Sequence, residues 1–282
     1  MPPKKASLKT VFVDHDSAAG VIKDDDGNRY VEIKEWDMNQ MHPFDVNDLE
    51  HGVKVFIVGH PGTGKSRVIE QIMLYKAHIC PISQIFSGTE SVNHFYESKS
   101  TPITVSNELD LKAMESFAKR QNIARQYLPN PWAMQILDDV VDDPYILKKH
   151  PFGAFYRKGR HWAMIHVMGT QYVMDMVAGL RACVDYAFIM PNSNISEREK
   201  IYENLASGSI PSQADFNDLM DSLDEHEALV IDNTITSAIM SERVFRFKAD
   251  LSRVPKDFKI GCADAFDFDK DRRNPNYVDS YI

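Results

Sequence analysis

Residues 59–66 form a glycine-rich loop that ends in a lysine and a serine, and they match the pattern G-x-x-x-x-G-K-[ST]. Glycines let the backbone of such a loop turn so tightly that consecutive N–H groups point at phosphate oxygens. The lysine can then reach the β- and γ-phosphates, and the serine hydroxyl can hold Mg²⁺. We therefore predict that the chain binds a nucleoside triphosphate. The predicted contacts are Gly59, His60, Pro61, Gly62, Thr63, Gly64, Lys65, Ser66 and Arg67.

Two carboxylates, Asp138 and Asp139, close an apolar run about seventy residues after Ser66. In sites of this kind the first acid holds Mg²⁺, and the second orients and polarises the water that attacks the γ-phosphate. We predict that Ser66 and Asp138 are the metal ligands and that Asp139 is the catalytic base. The second acid is usually a glutamate, so Asp139 is shorter than expected. The alternative is that these acids only cap a helix that Pro144 helps to start.

Other polar residues could complete a hydrolytic site. Gln171 follows the next apolar run and could hydrogen-bond the γ-phosphate or the attacking water, although it could also be an ordinary loop residue. Phosphoryl transfer also needs a cation on the equatorial oxygens, often an arginine from a neighbouring subunit. Arg181 is our candidate, and the basic cluster of residues 157–160 is the alternative. The predicted catalytic residues are Lys65, Asp139, Gln171 and Arg181.

The elements around these residues alternate between strand and helix. An apolar strand at residues 53–58 enters the glycine-rich loop, and a helix at residues 65–79 leaves it, with Val68, Ile69, Ile72 and Met73 on one face. Such alternation predicts an α/β fold with a mainly parallel central sheet covered by helices on both faces. Further strands are predicted at 84–87, 103–105, 132–137, 162–168, 186–190, 228–231 and 243–247, and further helices at 107–127, 143–156, 174–182, 197–205 and 213–223. The three polar clusters each follow a predicted strand, where ligands bind in such folds.

We divide the chain into an N-terminal extension of residues 1–43, an ATPase domain of residues 44–250 and a C-terminal tail of residues 251–282. In the extension, residues 20–23 and 29–33 flank an Asp-Gly turn and predict a small β-hairpin, and residues 1–9 look like a basic lead. The tail from Phe266 looks irregular and exposed.

Composition narrows the function classes. The 282 residues carry a net charge of −9, which argues against a generally basic nucleic-acid coat but leaves room for a local basic strip. The three cysteines have no metal-binding spacing and look like reduced thiols of an intracellular protein. No apolar run approaches the ~20 residues that span a bilayer.

Four segments together resemble the DNA-packaging ATPases of nucleocytoplasmic large DNA viruses, in the FtsK–HerA branch of P-loop ATPases. They are residues 59–66, 85–89, 135–139, and 159–161 running through to Gln171, with Leu180-Arg181 and Asp185-Tyr186 after them. The resemblance spans about residues 44–250. It implies a RecA-like P-loop NTPase fold of strand order 5-1-4-3-2, with ATP and Mg²⁺ as cofactors.

The same resemblance implies a ring of five or six subunits that hydrolyses ATP at its interfaces and moves viral genomic double-stranded DNA into a capsid. It also implies capsid or inner-membrane vertex proteins as partners, and a location in the viral factory of the host cytoplasm and in the virion. Two other classes stay open. A small-molecule kinase or a signalling NTPase would use the same loop without moving DNA.

Overall fold

The computed structural model of the chain describes residues 9–12, 21–23, 29–33, 41–141, 143–237 and 239–273. Two compact units are present, Met1–His42 and Pro43–Ile282. In the first, three antiparallel strands lie in the order β1-β3-β2, with bounds β1 Lys9–Phe12, β2 Val21–Lys23 and β3 Arg29–Ile33. The pairing of β2 with β3 confirms the predicted hairpin strands. The predicted turn at residues 24–28 and the lead at residues 1–8 lie outside the described residues.

The second unit contains an eight-stranded sheet in the order β11-β10-β9-β4-β8-β7-β5-β6. Strands β4 to β9 pair in parallel, whereas β10 pairs antiparallel with β9 and with β11. Counting β4, β5, β7, β8 and β9 as strands 1 to 5 gives the order 5-1-4-3-2, which confirms the topology that the resemblance implies. The strands are β4 Lys54–Val58, β5 Ser83–Ser87, β6 Val105–Ser106, β7 Ala133–Asp138, β8 Met164–Thr170, β9 Tyr186–Ile189, β10 Glu227–Asp232 and β11 Val244–Lys248.

Nine α-helices lie among the described residues, three of them single turns. They are α1 Lys65–Lys76, α2 Glu90–Asn93, α3 Leu111–Tyr127, α4 Phe152–Lys158, α5 Ala178–Arg181, α6 Ile195–Ile201, α7 Gln213–Ser222, α8 Met240–Arg243 and α9 Ala263–Arg273. Within the described part of the chain, no helix combines the length and the apolarity needed to cross a membrane.

The central strands are buried along their whole length. Every residue of β4, β5, β7, β8 and β9 is buried, so both faces of the sheet are covered. The core includes Ile69 and Ile72 of α1 together with Ile136 and Val167 of the neighbouring strands. Each fully buried apolar side chain of this size contributes about 1.5–3 kcal/mol. This packing holds the carboxyl ends of the strands as a rigid edge.

Several predicted boundaries were wrong for local reasons. The helix predicted from residue 107 begins at Leu111, because the Asp110 carboxylate accepts a hydrogen bond from the Lys112 N–H and caps it there. The helix predicted at 143–156 is divided into a 3₁₀ turn, Pro144–Lys148, and α4, because Pro151 lacks the N–H that a continuous helix needs. The helix predicted at 174–182 is likewise a 3₁₀ turn, Val173–Asp175, followed by α5.

The expectation of an irregular tail from Phe266 was wrong as far as residue 273, whereas the expected exposure is confirmed for most of residues 266–272. Residues 266–273 lie in α9, and Asp269 of this helix is buried. Residues 274–282 lie outside the described part of the chain. The Asp269 carboxylate accepts a hydrogen bond from the Ile103 N–H at 2.8 Å, so the helix is attached beside the short edge strand β6. Several acidic and basic residues occur in this stretch, so the sequence does not indicate that Asp269 is buried. The domain boundaries at residues 43–44 and 250–251 stay predictions.

Candidate active site

The glycine-rich loop connects the end of β4 to the start of α1 and has a conformation that requires its glycines. Gly62 and Gly64 adopt φ values of +81° and +102°, which residues with a Cβ rarely reach. A Cβ on Gly59 would lie 2.5 Å from the Met190 Cβ. The Thr63 hydroxyl donates a hydrogen bond to the His60 carbonyl at 2.8 Å and closes the turn. The loop therefore presents the N-terminus of α1, whose free N–H groups favour an anion.

Lys65 begins α1 and its side chain turns back across the loop. The ammonium donates to the Gly59 carbonyl at 2.7 Å and lies 3.1 Å from Asp139 Oδ2. Only 5% of the lysine side chain is exposed, so this cation is held in a partly dry site. The sequence predicted Lys65 and Asp139 separately, and the fold brings them into one ion pair.

Ser66 and Asp138 also meet. The Ser66 hydroxyl donates to Asp138 Oδ2 at 2.8 Å, and a residue that the sequence did not predict, Tyr96, donates to the same oxygen at 2.7 Å. Burial raises the pKa of Asp138, and the hydrogen bonds from Tyr96 and Ser66 act against that rise. The pKa of Tyr96 is raised well above its usual range, first by burial and then by the Asp138 charge.

The acid pair, Asp138 and Asp139, is positioned by backbone hydrogen bonds on both sides. The Gly88 N–H donates to the Asp138 carbonyl at 3.1 Å, and the Asp139 N–H donates to the Gly169 carbonyl at 3.0 Å. Asp139 has a φ of +46°, and a Cβ on Gly88 would lie 2.4 Å from its carbonyl oxygen. A Cβ on Gly169 would lie 2.9 Å from Asp138 Oδ1. Two glycines thus make room for the pair at the edge of the sheet.

The donor set fits Mg²⁺. Ser66 supplies a hydroxyl, and Asp138 and Asp139 each bury an oxygen, Oδ1, that has no hydrogen-bond partner among the described residues. Hard oxygen ligands suit Mg²⁺, which is usually held by one or two carboxylates together with substrate phosphates. Within the described ranges no cluster of three or more His, Cys, Asp or Glu side chains could hold a metal without such phosphates.

Gln171 lies where the sequence predicted, directly after the last residue of β8. Because β8 pairs with both β4 and β7, Gln171 lies at the same edge as the glycine-rich loop and the acid pair. A further acid, Asp175, lies in the 3₁₀ turn that follows Gln171. Burial and the Asp139 charge raise the pKa of Asp175, whereas a hydrogen bond from the Tyr172 N–H lowers it. Gln171 is therefore placed near the predicted water site, although its role stays a prediction.

Arg181 contacts the backbone of its own chain. Its guanidinium donates to the Val173 carbonyl at 3.3 Å and to the Met176 carbonyl, and burial lowers the pKa of the group. These hydrogen bonds attach Arg181 to residues 173–176, the segment that follows Gln171. A role toward a neighbouring subunit stays a prediction.

Arg160 of the alternative basic cluster lies at the amino ends of the strands, opposite the glycine-rich loop. Arg160 pairs with Asp185 at 3.0 Å, and Asp185 also pairs with Lys54 at 2.8 Å. Lys54 begins β4 and Asp185 immediately precedes β9, so this group marks the amino ends of the strands. Within one chain, the length of strand β4 separates this group from the glycine-rich loop.

Sequence reasoning missed two residues of this site. Tyr96 comes from the segment between β5 and β6, which has no periodic pattern. His226 precedes β10 with a φ of +63°, and its Nδ1 lies 3.3 Å from the Thr63 carbonyl oxygen. Tyr96 reaches Asp138 and His226 reaches the loop through tertiary packing, for which the sequence carries no local signal.

Relatives of the chain occur in large DNA viruses. The chain is 36% identical over 239 residues to uncharacterized protein 088R of Invertebrate iridescent virus 3, covering 83% of this chain and 91% of that protein. It is 32% identical over 249 residues to uncharacterized protein 075L of Invertebrate iridescent virus 6, covering 87% and 96%. Uncharacterized protein 015R of Frog virus 3 is 29% identical over 229 residues. No family model matches the sequence.

The fold is similar to that of a solved viral protein. The genome packaging NTPase B204 from Sulfolobus turreted icosahedral virus 2, in complex with AMPPCP, superposes with a TM-score of 0.52 at 16% identity, covering 71% of this chain and 99% of that chain. The same protein in complex with ATP-gammaS gives the same TM-score. At this identity the likeness establishes the fold, which is that of a P-loop NTPase.

Proposed function

We propose a function from this premise: the chain belongs to the family of large DNA virus proteins that includes 088R and 075L of the invertebrate iridescent viruses. We propose that it is an ATP-hydrolysing motor that moves viral double-stranded DNA into the capsid. The observation that carries the proposal is the joining of Lys65 to Asp139 and of Ser66 to Asp138 at one edge of a 5-1-4-3-2 sheet.

The geometry supports a division of labour in ATP hydrolysis. The loop N–H groups and Lys65 bind the phosphates, and Ser66 with Asp138 would hold Mg²⁺. When bound, Mg²⁺ supplies positive charge that neutralises the charge developing on the phosphate oxygens. Asp139 orients and polarises the attacking water, and Gln171 hydrogen-bonds that water or the γ-phosphate. Among the acids of the site, Asp139 suits the base because its carboxylate is partly exposed and faces the lysine.

Movement of DNA is supported by the viral family and by the shared fold with a protein described as a genome packaging NTPase. In our proposal five or six subunits form a ring, and Arg181 of one subunit supplies a cation to the ATP of the next. A narrow lining of the ring contacts DNA phosphates, while the acidic exterior, reflected in the net charge of −9, keeps the ring dispersed. Capsid or inner-membrane vertex proteins would receive the ring in the viral factory or the virion.

The test is the ATPase rate of the purified full chain with and without double-stranded DNA. A motor is expected to hydrolyse ATP faster when DNA is present, and the stimulation should weaken as salt screens the phosphate contacts. A kinase or a signalling NTPase would show no stimulation. An unchanged rate in assemblies that bind DNA would contradict the proposal.

A further inference from the structure

A buried tyrosine hydroxyl contacts the acid that the proposed mechanism assigns to the metal. Tyr96 is 1% exposed and Asp138 is 4% exposed. The tyrosine hydroxyl and the Ser66 hydroxyl donate to the same carboxylate oxygen, Oδ2, at 2.7 and 2.8 Å. Two donors on one oxygen fix the plane of the carboxylate. The other oxygen, Oδ1, is buried and has no hydrogen-bond partner in the described part of the chain.

The segment that carries Tyr96 is itself firmly held. The buried carboxylate of Glu90 accepts hydrogen bonds from the Tyr96 N–H at 2.9 and 3.1 Å and from the Glu97 N–H at 2.8 Å. The Phe95 ring lies edge-on to the Tyr96 ring with centroids 4.9 Å apart, and the Lys99 ammonium lies 4.3 Å from the centroid of that phenylalanine. The tyrosine hydroxyl therefore cannot move far from Asp138.

The two hydroxyls differ in what they can do when a cation is present. Ser66 lies at the start of α1, and its hydroxyl oxygen would also bind Mg²⁺. Tyr96 donates to the same carboxylate oxygen, and its hydroxyl has no such role in the proposed mechanism. Hydrogen bonds from outer residues orient metal-ligating carboxylates, and their loss typically lowers metal affinity about 10- to 100-fold.

We infer that Tyr96 is a positioning residue for the divalent cation of the ATP site, acting through the Asp138 carboxylate. The inference rests on the proposed function. Tyr96 aims the carboxylate oxygens at the space beside Ser66 and contacts neither the nucleotide nor the metal. The segment between β5 and β6, held by Glu90, is thereby part of the metal site and more than a connection between strands.

Nucleotide binding with and without Mg²⁺ tests the inference. Calorimetric titration of the full chain with AMPPCP, in Mg²⁺ and separately in EDTA, gives the factor by which Mg²⁺ tightens binding. Tyr96→Phe removes the hydroxyl and keeps the ring. We expect it to lower that factor about 10-fold or more while the affinity in EDTA stays unchanged.

Tyr156→Phe is the matched control. Tyr156 is also buried, and its hydroxyl donates to the Met168 sulfur at 3.4 Å and not to either acid of the pair. This variant should keep the wild-type affinity in both buffers, and both variants should keep a folded circular dichroism spectrum.

Three results for Tyr96→Phe would overturn the inference. They are an unchanged Mg²⁺ factor, an equal loss of affinity in EDTA, and failure to fold when Tyr156→Phe folds, because the last two would make the hydroxyl a structural group. A wild-type chain that binds AMPPCP no better in Mg²⁺ than in EDTA would instead contradict the proposed function itself.

Discussion

Asp139→Asn separates nucleotide binding from hydrolysis. The amide keeps the size of the side chain and its place beside Gly169, but it removes the negative charge 3.1 Å from the Lys65 ammonium. The charge is the feature that polarises a water, so we expect hydrolysis to fall about 10²-fold or more, as when a positioned base is lost. That fall corresponds to about 2.7 kcal/mol of transition-state stabilisation.

The same substitution should leave nucleotide binding intact or make it tighter. Unit charges 3.1 Å apart attract by about 5 kcal/mol at an effective dielectric constant of about 20, and desolvation offsets part of this. Without the carboxylate, the Lys65 ammonium keeps its hydrogen bond to the Gly59 carbonyl. It loses only the ion pair with Asp139, which competes with the phosphates for the ammonium. The phosphates of ATP then meet one negative charge fewer.

Single-turnover hydrolysis and equilibrium binding of AMPPCP measure the two effects independently. Asp143→Asn is the matched control, since Asp143 caps the turn Pro144–Lys148 by accepting a hydrogen bond from the Tyr145 N–H at 2.9 Å. Because an asparagine oxygen caps a turn about as well as an aspartate oxygen, this variant should change stability and activity little. An Asp139→Asn chain that hydrolyses ATP at the parent rate, with Asp143→Asn inactive, would refute the assignment of the base.

Other substitutions test the packing and the ring. Burial lowers the pKa of His166 to about 3, below the 6.5 of an unfolded histidine, so protons bind the unfolded chain first and stability falls as the pH drops through that window. In urea titrations at pH 7 and pH 5, His166→Leu should therefore lose about 2 kcal/mol less on acidification than the parent, and equal losses would contradict this. Gly88→Ala should displace the acid pair, lowering the free energy of unfolding by about 1–3 kcal/mol and the ATPase rate at least tenfold. Gly208→Ala, whose Cβ would meet nothing within 4 Å, should do neither. Arg181→Ala alone should lower the rate about 10³-fold or more, and mixing it with Lys65→Ala subunits should restore part of the activity if the arginine acts in trans. No recovery from assemblies shown to mix would count against that role.

The central part of the fold was predictable because its signals are local. The strand before Gly59, the helix after Gly64 and the acids at the end of β7 each follow from an apolar run beside a polar pattern. Parallel strands then bring Lys65, Ser66 and the acid pair to one edge, whatever the details of the loops.

The rest depends on contacts between distant segments. The helix predicted from residue 107 begins only at Leu111, where the Asp110 carboxylate caps it. Tyr96 reaches Asp138 across 42 residues of sequence, and Asp269 reaches Ile103 across 166. No periodicity or spacing marks such pairs, since each is selected by packing around a site that is formed only in the folded chain.

DNA-stimulated ATP hydrolysis by the full chain tests the central claim most directly. The rate would be measured with and without double-stranded DNA, and Lys65→Ala would be the control, since it removes the side-chain cation expected at the β- and γ-phosphates. We predict stimulation by DNA in the parent, and neither turnover nor stimulation in the variant. A Lys65→Ala chain that hydrolyses ATP near the parent rate, or a parent indifferent to DNA that it binds, would contradict the account.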